Sequence, residues 1–220
     1  MLRARFNRGL AVALGLLLGS AAALDAAGLD DRYSVDAWGT EQGLLPQSSV
    51  LAMVQTRDGY LWLGTLNGLV RFDGLHFTVF DESNTPKLES VRIVRLFEDS
   101  RNNLWVGTET AGAALIQNGH VHPLNIGRGR PSGHLVSICE DSAGAVWLLT
   151  EDAQLARYSN ENVDVWNLGQ GRGRSVIAEK GGMVWIGTDD QIFGVDPAAV
   201  RSKAPLPVIK GAPVSQVDSP

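Results

Sequence analysis

The sequence predicts an all-β protein, and three features of the chain lead to that prediction. Tryptophans recur at a nearly constant spacing, turn-forming dipeptides recur every few residues, and helical periodicity is missing after residue 25. A helix would need apolar residues at every third or fourth position and no internal glycine pairs. Glycine is abundant instead, with 25 residues among 220, and this composition suits short strands joined by tight links.

The repeat is centred on four tryptophans, which are separated by 43, 42 and 38 residues. Each tryptophan stands in a frame of the type Leu-Trp-Leu-Gly-Thr, and Leu149 is the one departure, since the other frames have glycine at that position. We predict structural roles for the tryptophan and the threonine of each frame, with the indole filling the space between neighbouring sheets. The eight residues are Trp62, Trp105, Trp147 and Trp185, with Thr65, Thr108, Thr150 and Thr188.

Each frame is flanked by turn signals that divide the repeat into four strands. In the first repeat an apolar segment at 50–54 precedes the turn Asp58-Gly59, and Asn67-Gly68 and Asp73-Gly74 follow the tryptophan strand. Such dipeptides accept positive φ and predict two-residue hairpin turns. Four strands in about 42 residues are typical of a propeller blade. The predicted fold is therefore a β-propeller of four-stranded antiparallel blades, with about four blades present as part of a larger propeller.

The chain is expected to divide into four regions. Residues 1–27 have the order of a secretory signal peptide, because three arginines precede an apolar run and small residues follow it. Residues 28–48 form an N-terminal segment whose strand at 33–38 serves as a closing outer strand. Residues 49–196 hold the propeller repeats, and 197–220 are a Pro-rich tail or the start of a further blade. In a whole chain the strand at 33–38 would complete the blade of Trp185 and give a four-bladed ring; in a fragment its partner would lie elsewhere.

Composition excludes several function classes. Charged residues make up 20% of the chain and are scattered, which argues against binding of nucleic acid by this region. Cys139 is the one cysteine of the sequence, so no internal disulfide can form, and we expect it to be a small buried residue rather than a nucleophile.

The residues that catalysis requires do not come together in the sequence. His120 and His122 alternate along one strand but lack a third nearby ligand, and His134 is isolated. Asp99 and Asp141 each stand six residues before a tryptophan, and we expect them to fix turns through hydrogen bonds to the backbone. We predict no catalytic residues, no metal site and no cofactor.

A candidate ligand site lies in two Arg-Gly-Arg loops that the repeat places on adjacent blades. Guanidinium groups suit carboxylate and sulfate, so these loops predict a site for an anionic or sugar-like ligand. Acidic residues that the repeat places at the same end could neutralise the arginines instead. The arginines are Arg128, Arg130, Arg172 and Arg174, and the acidic residues are Glu109, Glu151, Asp152, Asp189 and Asp190.

The sequence resembles the two-component regulator propeller repeats of bacterial histidine kinases, diguanylate cyclases and related regulators. Three segments carry the resemblance: Trp38-Gly-Thr-Glu-Gln-Gly-Leu-Leu-Pro46, Val54-Gln-Thr-Arg-Asp-Gly-Tyr-Leu-Trp-Leu-Gly-Thr65 and Gly68-Leu-Val-Arg-Phe-Asp-Gly74. The later repeats keep the tryptophan, the threonine and the turn, and lose Gly-Leu-x-Arg-Phe.

The resemblance implies the periplasmic or extracytoplasmic sensor region of a signal-transduction receptor. It further implies an unknown small-molecule or glycan ligand and an output domain, with kinase or cyclase activity, outside this chain. A homodimer is also possible on this reading. Two other functions stay open: an exported propeller enzyme, such as a lyase or hydrolase, and a structural scaffold for protein contacts.

Overall fold

The computed structural model describes residues 37–38, 45–46, 49–124, 126, 133–169, 171–201 and 204–210, with the backbone alone at 208–210. The chain divides into two units, Met1–Ala37 and Trp38–Pro220. All elements below belong to the second unit. The predicted signal peptide and most of the predicted outer strand at 33–38 lie outside the described residues.

The second unit contains four sheets, each of four antiparallel strands paired in chain order. The all-β prediction and the four-stranded blade are confirmed, and the sheets form part of a propeller. Strands of the first two sheets are β1 Val50–Gln55, β2 Leu61–Thr65, β3 Gly68–Phe72 and β4 Phe77–Phe80, then β5 Ile93–Glu98, β6 Leu104–Thr108, β7 Ala113–Gln117 and β8 His120–Leu124. The others are β9 Leu135–Glu140, β10 Val146–Thr150, β11 Gln154–Ser159 and β12 Asn162–Asn167, then β13 Gly173–Ala178, β14 Val184–Thr188, β15 Ile192–Val195 and β16 Val208–Lys210.

The turn between the first and second strands of a sheet differs from the predicted two-residue type. In the first sheet the Thr56 amide donates to the Tyr60 carbonyl at 2.9 Å, and the Gly59 amide donates to the Thr56 carbonyl at 2.8 Å. Three residues therefore form the loop, and its last residue has a positive φ of 93°. A three-residue loop of this kind needs one left-handed residue, usually glycine. Asn102, Gly144 and Gly182 occupy the same place in the other sheets.

Neighbouring sheets pack through apolar clusters that each contain one tryptophan of the repeat. Trp62 packs with Leu104 and Val106 of the second sheet, and Trp105 packs with Val146 and Leu148 of the third. Trp147 makes the same contact with the fourth sheet, and the first strands of successive sheets also touch one another. Burial of large aromatic side chains between sheets is the main stabilising interaction of this arrangement.

The segment after residue 196 supplies the last strand of the fourth sheet. Residues 208–210 form β16, which pairs with β15 as an outer strand. The closing strand expected at 33–38 lies mostly outside the described residues, so its pairing stays a prediction. The connection packs back on the third sheet, where the Trp166 Nε1–H donates to the Ala204 carbonyl at 2.9 Å. The short strand lies beside Pro205 and Pro207, which hid it in the sequence.

Candidate functional site at the charged end of the sheets

Each sheet brings the start of its first strand beside the end of its second strand. Thr65, Thr108, Thr150 and Thr188 mark that end and pair with the first residue of β1, β5, β9 and β13. Their hydroxyls donate to backbone carbonyls of the following turn, at 2.9 to 3.3 Å. These bonds fix the turn that leads into the third strand.

An acidic residue follows three of these threonines, and its partner on the first strand's side is a basic residue. The amides of Glu109, Glu151 and Asp189 donate to the carbonyls of Arg92, His134 and Arg172 at 2.7 to 3.0 Å. The repeat therefore sets a basic residue beside an acidic one in three successive sheets. We call this set the charged rim. It consists of Arg92, Glu109, His134, Glu151, Arg172, Arg174 and Asp189.

One ion pair of the charged rim joins the third and fourth sheets. Glu151 of the third sheet accepts from Arg172 of the fourth sheet, with Nη1 and Oε1 at 3.1 Å. His134 Nδ1 lies 3.9 Å from the other oxygen of Glu151, and Arg174 pairs with Asp189 through its Nε. Arg92 and Glu109 form a further ion pair. The three arginines balance the charge of the three acidic residues.

The ion pairs keep the acidic groups ionised. The hydrogen bond from Arg92 lowers the pKa of Glu109, and Arg92 and His134 add a favourable charge interaction. The hydrogen bond from Arg174 lowers the pKa of Asp189 in the same way. Both pairs are accessible to water, so they position guanidinium groups more than they stabilise the fold.

Two of the four predicted arginines belong to the charged rim. The side chains of Arg172 and Arg174 are 64% and 56% exposed, and both contact the acidic residues named as alternative partners. Arg128 and Arg130 lie outside the described residues. Sequence reasoning missed Arg92 and His134, although both directly precede a first strand and could have been found by aligning the repeats at that position.

The other candidates of the sequence have structural surroundings. The carboxylate of Asp99 accepts from the amides of Arg101 and Asn103 and from the Trp105 Nε1–H, each at 2.9 Å. Asp141 makes the equivalent bonds, including one of 2.8 Å from Trp147. The prediction that these two residues fix turns is confirmed.

The remaining reactive side chains do not form a metal site in the described part of the chain. His120 and His122 lie on β8 and are exposed. Within the described ranges, no three His, Cys, Asp or Glu side chains are grouped so that they could hold a metal ion. Burial is the main cause that raises the pKa of the Cys139 thiol to about 12, and the negative charge of Asp141 is the second cause. The described residues contain no helix that is long and apolar enough to cross a membrane.

The sequence model of the two-component regulator propeller matches residues 44–67 and 87–110. Each stretch contains a Trp-centred frame and ends just after the second strand of a sheet. These two stretches are similar to two-component regulator propeller repeats. The resemblance inferred from the sequence is thus confirmed for the first two sheets, and the third and fourth sheets repeat the same strand order.

Solved structures support the propeller fold of the repeats. The extracellular domain of BT3049 from B. thetaiotaomicron, assigned to a hybrid two-component system, aligns with a TM-score of 0.61 and 21% identity over 81% of this chain and 24% of that one. The corresponding domain of BT4673 gives 0.59 and 24% identity, over 75% and 22%. This chain therefore spans about a quarter of the length of these two domains.

The same fold occurs in a propeller of a different kind. Virginiamycin B lyase from Staphylococcus aureus aligns with a TM-score of 0.57 and 16% identity, over 71% of this chain and 55% of that one. Identity at this level shows the fold and carries no residue of the lyase to this chain. No curated protein matches the sequence.

Proposed function

We propose that this chain is part of the extracytoplasmic, ligand-binding propeller of a bacterial two-component receptor. The match of two propeller repeats carries the proposal. The extracellular two-component domains BT3049 and BT4673, which share the fold, support it. In this proposal the region is non-catalytic, residues 1–27 direct its export, and output activity resides in a separate domain. The fold likeness to a lyase does not favour the enzyme alternative, because 16% identity shows the fold alone.

The proposal that the chain is one arc of a larger propeller is supported by exposed apolar residues on its first and fourth sheets. Met53 is 61% exposed, although its equivalents Leu96, Ile138 and Val176 pack against the preceding sheet. Ile177 is 56% exposed, although the equivalent residues of the other three sheets pack against the following sheet. Further blades would cover both faces.

The charged rim is the proposed ligand site. It presents three arginines, and the guanidinium group of each one is paired with an acidic side chain of the rim. A carboxylate-bearing ligand would replace the weak, water-exposed partner of Arg172 with a bidentate one. A glycan with acidic groups has this chemistry, and so does a small organic acid.

Binding of an acidic sugar to the full chain tests the proposed site. We expect D-glucuronate to bind with heat detectable by calorimetry, and we expect Arg172→Glu to weaken binding at least tenfold because it reverses a charge that contacts the ligand. Arg101→Glu is the matched control, since Arg101 lies at the opposite end of the second sheet. Equal affinity of wild type and Arg172→Glu would disprove the assignment of the site.

The proposed export of the chain needs a separate experiment. A fusion of the full chain to alkaline phosphatase is expected to be active in the bacterial periplasm, and deletion of residues 1–27 should abolish that activity. Activity that survives the deletion would contradict the proposed location.

A further inference from the structure

The indole N–H of the repeat tryptophan has a carboxylate partner in three of the four sheets. Trp105 donates to Asp99, Trp147 to Asp141 and Trp185 to Glu179, with distances of 2.8 to 2.9 Å. In every case the partner stands six residues before the tryptophan. The carboxylate is therefore a regular component of the repeat.

The first sheet lacks this carboxylate. The residue six positions before Trp62 is Thr56, and its hydroxyl donates to Asp58 Oδ1 at 2.6 Å. Among the described residues, none accepts from the Trp62 Nε1–H. The one buried side-chain nitrogen or oxygen without a partner in this part of the chain is Arg157 Nε, so the Trp62 N–H is open to solvent.

Trp62 lines a groove of about 850 Å³ between the first and second sheets. This size is within the range of sites for small organic molecules. One wall carries Tyr60, Trp62, Arg71 and Phe80 of the first sheet, and the facing wall carries Leu104 and Ile116 of the second. The groove also contacts the turn between β1 and β2, at the opposite end of the sheet from the charged rim.

Arg71 supplies a cation beside the free indole N–H. Its guanidinium carbon lies 4.5 Å from the centre of the Tyr60 ring and 5.9 Å from that of Trp62. The described residues give Arg71 no carboxylate partner, whereas the nearby Glu98 already accepts from the Arg57 amide at 3.0 and 3.2 Å. The Arg71 guanidinium is therefore an available donor for a ligand carboxylate beside Trp62.

The walls around these donors are aromatic. Trp62 and Phe80 stack with ring centres 5.6 Å apart, and Phe80 is half-buried, so part of its surface remains available to a ligand. An aromatic ring is attracted to such a surface by burial and by ring contacts. A ligand that combines a flat apolar ring with one carboxylate would contact the aromatic wall and Arg71 together.

We infer that the groove between the first two sheets binds a small aromatic carboxylate. The ligand's carboxylate accepts hydrogen bonds from Trp62 Nε1 and Arg71. Its ring lies against the aromatic wall. This inference is independent of the proposed receptor function and of the charged rim.

Titration of the full chain with 4-hydroxybenzoate tests the inference. The Trp62 indole N–H signal in a ¹⁵N correlation spectrum is expected to shift, and the signals of Trp105 and Trp147 are expected to stay in place because their N–H groups are already bonded. The alcohol analogue, 4-hydroxybenzyl alcohol, and the ringless acid, acetate, should each bind at least tenfold more weakly. An unmoved Trp62 signal at millimolar ligand would overturn the inference.

Two variants locate the site. Thr56→Asp restores the missing carboxylate, so the variant should fold with wild-type stability or better and bind 4-hydroxybenzoate at least tenfold more weakly. Arg71→Gln should weaken binding to a similar extent. Arg157→Gln is the matched control, because Arg157 faces Trp147 in the equivalent place of the third sheet, and its affinity should equal that of wild type. Wild-type affinity in both Thr56→Asp and Arg71→Gln would disprove the site, whatever the outcome of the glucuronate experiment at the charged rim.

Discussion

Leu149 departs from the repeat because its partner in the next sheet departs as well. In the first two frames glycine makes room for a large residue of the following sheet: a Cβ at Gly64 would lie 2.8 Å from Ile93, and one at Gly107 would lie 2.5 Å from Leu135. At the third interface the sizes are reversed. Leu149 faces Gly173, where a Cβ would lie 2.9 Å from the Leu149 side chain. Close packing at each interface requires one large and one small residue.

We predict that Gly107→Leu destabilises the protein by about 1–3 kcal/mol through overpacking against Leu135. In the double variant Gly107→Leu, Leu135→Gly, the loss should be smaller than the sum of the two single losses, by about 1 kcal/mol or more. Urea unfolding of the four proteins measures this coupling. Gly187→Leu is the control, since a Cβ there would meet only Ser175 O at 3.9 Å, and it should change stability little. If the losses of stability were additive, the side chains at positions 107 and 135 would not compete for the same space.

The position of a tryptophan in the series of sheets should decide its contribution to stability. Trp105 is fully buried between two sheets, and Trp105→Ala is expected to cost about 3–5 kcal/mol. Trp185 is partly exposed on the outer face of the fourth sheet, so Trp185→Ala should cost less than half as much. Thermal or urea melts compare the two variants. Equal losses would contradict the assignment of the indole to the space between sheets.

The Cys139 thiol should be unreactive in the folded protein. Its pKa of about 12 in the fold exceeds the ordinary value of 9.0, so the thiol stays protonated at pH 8. We expect iodoacetamide to alkylate Cys139 slowly in buffer and rapidly in urea, as followed by mass spectrometry. Because the unfolded thiol ionises first, wild type should lose stability between pH 9 and 12, and Cys139→Ala should lose less over that interval. Rapid alkylation of the folded protein at pH 8 would contradict the buried position.

At the scale of the element, a carboxylate at the end of a first strand ties its sheet to the turn of the preceding sheet. Glu98 of β5 accepts from the Arg57 amide, and Glu140 of β9 accepts from the Ser100 amide at 2.8 Å and the Ser100 hydroxyl at 2.6 Å. Ala178 stands at this position in β13 and can form no such bond. The first three sheets are therefore joined by polar bonds as well as by apolar packing.

These bonds predict local changes in hydrogen exchange. Glu140→Ala should speed exchange of the Ser100 amide and leave the Arg57 amide unchanged, because each carboxylate protects one turn. Glu98→Ala should have the opposite pattern, so each variant is the control for the other. Nuclear magnetic resonance measures both amides in one experiment. If both variants accelerated both amides equally, the effect would be a general loss of stability and the bonds would not act as separate links.

At the scale of the whole molecule, the exposed faces of the first and fourth sheets should cause self-association. Met53→Lys and Ile177→Lys together are expected to reduce association at micromolar concentration, because charge on the faces opposes their burial. Leu75→Lys is the control, since Leu75 is 82% exposed on a turn of the first sheet, away from the uncovered positions. Sedimentation velocity measures the distribution of species. An unchanged distribution in the double variant would show that these faces do not mediate association.

Much of the fold could be predicted because the repeat is specified by features that lie close together in the sequence. Trp62 and its equivalents, the turn glycines and the alternation of short strands all act within a single sheet or its immediate neighbour. The strand β16 could not be predicted, because the three residues that follow Pro207 have no periodicity to detect. Only part of the charged rim was predicted: Arg172 and Arg174 stand in a visible motif, whereas Arg92 and His134 are found only when the repeats are aligned at the residue before the first strand.

By itself the sequence determined the all-β class, the four-stranded repeat and the residues that mark each turn, because these depend on spacing along the chain. The tertiary structure decided which side chains from different sheets meet. Leu149 and Gly173, Arg172 and Glu151, and the groove beside Trp62 all arise at interfaces between sheets. Contacts of this kind depend on the packing of two surfaces from different repeats, and no local pattern of residue types specifies that packing.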